Sequence, residues 1–348
     1  MISREDILRR IDEVRYPGFR HGVVRFGLVQ DVRVTAGEVV VELVPSSRKP
    51  AVVQEIGRQI EQVVRALEGV SGVRIVAPGA GPDAAQAKGG EGIPGVRRII
   101  AVSSAKGGVG KSTVAVNLAV SLQRAGAKVA LMDADVYGPS APLMFGAEGR
   151  PRTAGQRISP IRRYGVDIMS MGFFLDDSSP VIWRGPMVMG LIRQFVRDVD
   201  WGQQDFLVID MPPGTGDAAL TLAQQVPISG ALIVTTPQQV ALADVERGIA
   251  MFRQLNVPVL GIVENMSYYE CPDCSEREQI FGSGGGAALA RQFGTRLLAE
   301  LPLVPEVRKG GDAGKPISSE HPDHPVSQAF AKLASEVGAA VEAVAQSA

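Results

Sequence analysis

The segment Ala105-Lys106-Gly107-Gly108-Val109-Gly110-Lys111-Ser112-Thr113 holds the residue types that bind phosphate. Glycines let backbone N–H groups turn inward around phosphate oxygens, and a following helix adds the positive end of its dipole. Lys111 is then expected to reach the β- and γ-phosphates of a nucleotide, and the Ser112 hydroxyl to ligate Mg²⁺. This is a P-loop pattern with Ala105 in place of the usual first glycine; a methyl group there requires a negative φ. A second set of groups is carboxylates at the ends of apolar runs. Asp210 follows Phe206-Leu207-Val208-Ile209. Such an aspartate often only caps a helix, but behind a P-loop it holds Mg²⁺ through water. Asp133-Ala134-Asp135 closes another run, and alternate residues of an extended segment point the same way, which aims both carboxylates at the phosphates. Past Asp210, Gly214 or Gly216 offers a backbone N–H to a γ-phosphate.

The third set is Cys271-Pro272-Asp273-Cys274, which contains both cysteines of the chain. The spacing suits one metal ion or one edge of a cluster. Zn²⁺ and iron–sulfur sites usually take about four ligands, so one chain supplies half a set. A two-fold dimer with one pair from each subunit is the simplest closure. A redox dithiol is the alternative, although the pair does not open a helix in a βαβ pattern.

Buried strands must position these groups. Ile99-Ile100-Ala101-Val102, Val129-Ala130-Leu131-Met132, Phe206-Leu207-Val208-Ile209, Ala231-Leu232-Ile233-Val234 and Val259-Leu260-Gly261-Ile262-Val263 are continuous apolar runs between longer helical stretches. Runs of this kind are covered on both faces, which predicts an α/β fold with a mostly parallel sheet between helices. Polar residues follow each run: Ser103, Asp133, Asp210, Thr235 and Glu264. Ligands of such sheets sit at the carboxyl ends of the strands. Residues 96–348 are therefore read as a P-loop domain. Residues 1–77 read as a small α+β domain: Ile7, Ile11 and Val14 at helical spacing, a strand near Val39-Val40-Val41, then a helix through Val53, Ile56, Ile60, Val63 and Leu67, and the strand Val73-Arg74-Ile75-Val76. Residues 78–95 are poor in groups to bury and read as a flexible linker.

Composition narrows the classes. With 36 basic and 37 acidic residues the formal net charge is −1, which argues against general binding of nucleic acid or an anionic membrane. Two cysteines exclude a disulfide scaffold and suit a reducing compartment. The charged start Met1-Ile2-Ser3-Arg4-Glu5-Asp6 has no signal-peptide core, and no apolar run is long enough to span a bilayer. A cytoplasmic protein is expected.

With Lys106, the loop reads Lys-Gly-Gly-x-Gly-Lys-Ser-Thr and resembles the deviant Walker A of the MinD/ParA/nitrogenase-iron-protein superclass. The resemblance implies that Lys106 crosses a dimer interface to the partner's nucleotide, where it neutralises charge on the transferred phosphoryl group; on residue type alone it is equally a solvated lysine. The resemblance also implies that Asp135 positions or activates the attacking water, that Asp133 supports the Mg²⁺ shell and that Asn265 reads adenine. Asn265 by itself also fits a turn. Over residues 98–316 the chain is similar to the Mrp/ApbC family of iron–sulfur cluster carrier ATPases. The motifs are the P-loop, Asp133-Ala134-Asp135-Val136-Tyr137-Gly138-Pro139-Ser140, Trp183-Arg184-Gly185-Pro186-Met187, the loop from Asp210 to Asp217, Glu264-Asn265-Met266-Ser267-Tyr268, the Cys271/Cys274 pair, Ile280-Phe281-Gly282 and Gly310-Gly311-Asp312. That family implies ATP and Mg²⁺, and a [4Fe-4S] cluster shared by a homodimer, with Zn²⁺ as the other occupant of the thiols. Its implied partners are apo iron–sulfur clients and assembly factors, with no nucleic acid and no membrane. The N-terminal unit resembles the iron–sulfur assembly domain often fused in this family. It departs at Pro45-Ser46-Ser47-Arg48-Lys49-Pro50, where a cysteine–proline pair is common, so docking of clients is expected of it rather than ligation. A MinD/ParA-like spatial-organising ATPase is the rival reading. It calls for a basic, bulky amphipathic anchor, and Phe330-Ala331-Lys332-Leu333-Ala334-Ser335-Glu336-Val337 is weakly apolar and hardly basic.

Overall fold

The computed structural model describes residues 4–14, 23–24, 29–35, 38–43, 50–67, 69–76, 92–135, 138–154, 157–174 and 185–347. The segment 45–49, most of the expected linker, Val136-Tyr137, Trp183-Arg184 and His21 lie outside them. The chain separates into two compact units, 1–88 and 89–348.

In the first unit α1 (Arg4–Ile11) and α2 (Pro50–Arg65) accompany β1 (Val29–Thr35), β2 (Glu38–Leu43) and β3 (Gly72–Val76). β1 pairs antiparallel with β2, and β2 pairs parallel with β3, in the order β1-β2-β3. β2 alternates inward Val39, Val41 and Leu43 with outward neighbours, and the inward set meets Ile56, Ile60 and Val64 of α2. Periods of two and of three to four residues thus meet in one small core.

The second unit is a larger sheet. Its strands are β4 (Val96–Ser103), β5 (Val129–Asp133), β8 (Ile161–Arg163), β9 (Val166–Ser170), β10 (Gln204–Asp210), β11 (Gly230–Thr235), β12 (Val259–Glu264) and β15 (Leu297–Glu300), with the separate hairpins β6 (Arg152–Ala154)/β7 (Arg157–Ser159) and β13 (Tyr269–Glu270)/β14 (Arg277–Glu278). The order is β15-β12-β11-β4-β10-β5-β9-β8, parallel except for the antiparallel edge strand β8. Its helices are α3 (Lys111–Arg124), α4 (Ala141–Phe145), α5 (Gly185–Arg197), α6 (Asp217–Gln225), α7 (Gln239–Gln254), α8 (Gly285–Gln292), α9 (Pro305–Asp312), α10 (Ile317–Glu320) and α11 (Pro325–Ser347). The five apolar runs are the five central strands. β8, β9 and β15 extend the sheet beyond the runs that the sequence marks, because these short strands carry residues such as Arg162, Asp167 and Glu300 that interrupt an apolar pattern.

One expectation changes here. Residues 92–95 do not behave as linker: Ile93 is buried in the large core, and Gly95 packs on Gly202 while its carbonyl accepts the Gln204 N–H. The carboxyl-terminal helix α11 is not a free amphipathic surface. Phe330, Leu333, Val337 and Val341 are buried, and the helix packs against α3. Among the described residues no helix is long and apolar enough to cross a membrane.

Candidate functional site

β4 runs straight into the glycine loop, and α3 leaves it. Gly108 and Gly110 take φ of 82° and 83°, the left-handed region that a side chain strains. A Cβ on Gly110 would lie 2.2 Å from Asn265 Nδ2. Gly110→Ala is therefore expected to cost about 1–3 kcal/mol of stability and to weaken nucleotide binding, which melting curves and a titration with fluorescent nucleotide check together. Ala105 is absent from the residues with positive φ, so its methyl group is tolerated as expected; it faces Gly248 of α7. No side chain caps α3, so its first amide N–H groups are open to an anion. Lys106 is exposed and has no ion-pair partner among the described residues.

Lys111 Nζ lies 2.5 Å from Asp210 Oδ1, 3.8 Å from Asp135 Oδ2 and 3.4 Å from the Ser112 hydroxyl. Parallel pairing of β10 with β5 places Asp210 level with Asp133. Two carboxylates, Asp210 and Asp135, thus flank one ammonium in a buried place, with Asp133 at the end of the neighbouring strand. Asp210 Oδ2 and Asp135 Oδ1 are buried and have no hydrogen-bond partner. An excess of negative charge with two orphaned oxygens beside a serine hydroxyl is the donor set of a hard divalent cation. The residues present fit Mg²⁺.

Asp133 differs from the expectation that it faces the phosphates beside Asp135. The strand ends at Asp133, and the carboxylate there is held by donors of the loop that follows and of β9. Asp133 Oδ1 accepts the Asp135 N–H at 3.1 Å; Oδ2 accepts Ser140 N–H at 3.1 Å, Ala141 N–H at 3.0 Å and the Ser170 hydroxyl at 2.9 Å. Both oxygens are occupied in shaping the loop that presents Asp135. Gly214 also differs: its N–H is given to the Ser104 carbonyl at 2.8 Å, which leaves Gly216, at the start of α6, as the donor nearer to free.

Burial, and then the charge of Asp210, push the Asp133 carboxyl up to about 7, against hydrogen bonds from Ala141 and Ser170 and the charge of Lys111. Burial raises Asp210 as well, opposed by Lys111. A raised carboxyl binds its proton more tightly folded than unfolded. Its contribution to stability is complete below the unfolded value near 3.8 and is lost as pH rises through about 7. The protein without Mg²⁺ is expected to melt at lower temperature as pH climbs from about 5 to about 8. Asp133→Asn should flatten that slope in differential scanning calorimetry. Mg²⁺ with nucleotide should flatten it too, because the cation holds the ionised carboxylates.

Asn265 follows β12, is 8% exposed and donates its side-chain amide to the Val109 carbonyl at 2.9 Å. Its donor therefore braces the loop. The same residue borders a cleft of about 350 Å³ with Thr113, Met266, Pro302, Leu303, Val304 and Val307. This is a mainly apolar slot beside the phosphate loop, of the kind that takes a planar base. Residues 302–307 were not marked by the sequence. They follow β15, and only the placement of that strand next to β12 brings them to the loop.

Cys271 and Cys274 lie on the turn of the β13/β14 hairpin, and residues 272–280 are exposed. Cys271 N–H bonds the Glu276 carbonyl at 3.0 Å, Ser275 N–H bonds the Cys271 carbonyl at 2.9 Å, and Ser275 takes φ 59°. Backbone N–H groups of Cys274 and Asp273 face the Cys271 sulfur and lower its pKa. Amide donors around a thiolate suit metal ligation. Among the described residues no group of three or more His, Cys, Asp and Glu could hold a metal ion, so the pair stays half a ligand set.

A parallel sheet that delivers a glycine loop, a helix start and carboxylates to one edge defines a P-loop nucleoside triphosphatase. Residues 95–338 match the family model of NUBPL iron-transfer P-loop NTPases, and residues 4–75 match that of iron–sulfur cluster assembly proteins. The chain is 42% identical to an iron–sulfur cluster carrier protein of Synechocystis sp. over 99% of both chains. It is 51% identical to one of Aquifex aeolicus over 72% of this chain and 70% of that one. A nucleotide-binding protein from Archaeoglobus fulgidus, solved in complex with ADP, superposes with a TM-score of 0.60 at 42% identity, covering 67% of this chain and 91% of the other. The chain belongs to the iron–sulfur cluster carrier family of P-loop ATPases.

Proposed function

We propose that the protein is a homodimeric carrier that binds ATP with Mg²⁺, hydrolyses it, and holds a [4Fe-4S] cluster between two Cys271/Cys274 pairs for transfer to apoproteins. The observation that carries this reading is the exposed hairpin: two thiols with amide donors at Cys271, and no third ligand beside them among the described residues. A two-fold axis completes the set with the fewest assumptions.

The residues take these parts. Gly107, Gly108, Val109, Gly110 and Thr113 cradle the phosphates with their backbone N–H groups beside Ala105, and Lys111 binds the β- and γ-phosphates. The Ser112 hydroxyl and Asp210 would hold Mg²⁺, which when bound would offset charge on the phosphates. Asp135 orients the attacking water. Asp133 acts on the metal site indirectly, by holding the N–H of Asp135. Asn265 and the cleft at residues 302–307 take the adenine. Lys106, exposed and without an ion-pair partner among the described residues, reaches the partner's nucleotide. The N-terminal unit docks clients or assembly factors, and the chain works in the reducing cytoplasm.

Anaerobic reconstitution with iron and sulfide tests the carrier reading. Retention of about four iron atoms per dimer, with visible charge-transfer absorbance, is expected. Retention of Zn²⁺ with no iron would overturn it.

A further inference from the structure

Glu264 ends β12 fully buried, and the nucleotide chemistry does not use it. Its Oε1 accepts the Ser267 hydroxyl at 2.6 Å and its Oε2 accepts the Gly286 N–H at 2.5 Å. No salt bridge to it is found among the described residues. A buried carboxylate persists where donors replace water, and here one donor is the first turn of α8, the positive end of a helix dipole. A Cβ on Gly286 would come within 3.0 Å of Oε2, so a glycine lets the carboxylate approach. The two donors bracket the cysteine hairpin in sequence: Ser267 leads into it and Gly286 follows it. One carboxylate therefore clasps both ends of the segment that carries Cys271 and Cys274.

The residues beside Glu264 connect this clasp to the phosphate loop. Asn265 donates to the Val109 carbonyl at 2.9 Å. Met266 takes φ 55°, and its methyl group lies 3.6 Å from where a Cβ on Gly110 would stand. Ser267 N–H is tied to the Leu301 carbonyl at 2.8 Å. The Tyr268 ring lies 4.4 Å from the Arg277 guanidinium, and Arg277 Nε bonds Glu270 at 2.7 Å, one residue before Cys271. The backbone from Asn265 to Tyr268, with the Tyr268–Arg277 contact and the Arg277–Glu270 bond, thus links the phosphate loop to the residue before Cys271. A displacement of the Val109 carbonyl would move Asn265, and the clasp would carry that movement to both ends of the hairpin.

We propose that Glu264 is a positioning residue that couples nucleotide at the P-loop to the disposition of Cys271 and Cys274. The proposal rests on the reading that this loop binds nucleotide and that these thiols are the cargo site. It concerns the protein's own residues, so it is tested on the chain without cluster. The probe is the rate of iodoacetamide alkylation of the cysteines with and without Mg²⁺ and a non-hydrolysable ATP analogue. In the wild type the analogue should change that rate about fivefold or more, the low end of usual coupling between sites. Glu264→Gln removes the negative charge and one of the two acceptor oxygens, and Ser267→Ala removes one arm of the clasp. In each, the ratio of rates should fall to near one while the dissociation constant for the analogue stays within about twofold. A wild-type ratio of one with analogue bound overturns the proposal, as does a wild-type ratio retained by either variant. Ser267→Ala deletes a single hydroxyl, so it keeps the test open if Glu264→Gln does not fold. Nucleotide-gated thiols in a protein that retains no iron would leave the clasp standing and remove the carrier reading. Iron held by thiols that ignore nucleotide would do the reverse.

Discussion

Lys111→Ala is expected to lower the rate of ATP hydrolysis at least about a thousandfold. The ammonium is the only cation paired with the buried carboxylates among the described residues, 2.5 Å from Asp210 and 3.8 Å from Asp135. Phosphoryl transfer spreads charge over the transferred group, and a fixed cation in a site that excludes water acts strongly on that charge. Removal also leaves Asp210, 1% exposed, without its partner. Breaking a buried ion pair from one side typically costs about 3–5 kcal/mol. Burial already raises the Asp210 carboxyl, so in the variant it can take up a proton and recover part of that loss. Phosphate release in steady state measures the rate, and calorimetry measures the stability. A Lys111→Ala protein that hydrolyses ATP within tenfold of wild type would remove this lysine from the mechanism. Its two thiols lie on a separate hairpin, and their alkylation by iodoacetamide should stay complete.

The second large effect is at that hairpin. Cys271→Ala with Cys274→Ala should reduce reconstituted iron to background, while nucleotide affinity stays within about twofold of wild type. The separation follows from exposure: residues 272–280 are exposed, and the turn is closed by its own backbone bonds, Cys271 with Glu276 and Ser275 with Cys271. Nothing in those bonds uses a thiol, so alanine fits the same turn. Of the single variants, Cys271→Ala is expected to be the more damaging. Backbone N–H groups of Cys274 and Asp273 lower the pKa of its sulfur, and a thiolate is the form that binds iron. Iron analysis after gel filtration reads the result. Iron retained by the double variant would place the cluster elsewhere.

The phosphate loop was legible in the sequence because its chemistry is local. Glycines at 108 and 110 are required by positive φ, and the lysine and serine follow at once on a helix start. The strands were legible where both faces are covered, since a run such as Leu131-Met132 needs no partner to show its burial. The edges β8 and β15 were not, because an edge strand has polar residues wherever solvent reaches it, and β9 was not because Asp167 breaks its short apolar run. The Asp133-Ala134-Asp135 pattern misled for a different reason. The strand stops at Asp133, where four donors from residues 135, 140, 141 and 170 capture the carboxylate.

By itself the sequence determined which groups the protein has for chemistry: a phosphate loop, a Walker-type aspartate, and one thiol pair too small to complete a metal site. Those follow from residue type and short spacing, which the backbone satisfies within a few bonds. Only the tertiary structure decided which of these groups meet. The order β15-β12-β11-β4-β10-β5 sets Asp210 against Lys111 across two adjacent strands, brings Asn265 to the Val109 carbonyl and lets Glu264 hold both ends of the hairpin. Asn265 is 156 positions from Val109, and Asp210 is 99 from Lys111. Contacts at that separation are fixed by strand order and register, which arise from packing of the whole sheet rather than from any segment of it.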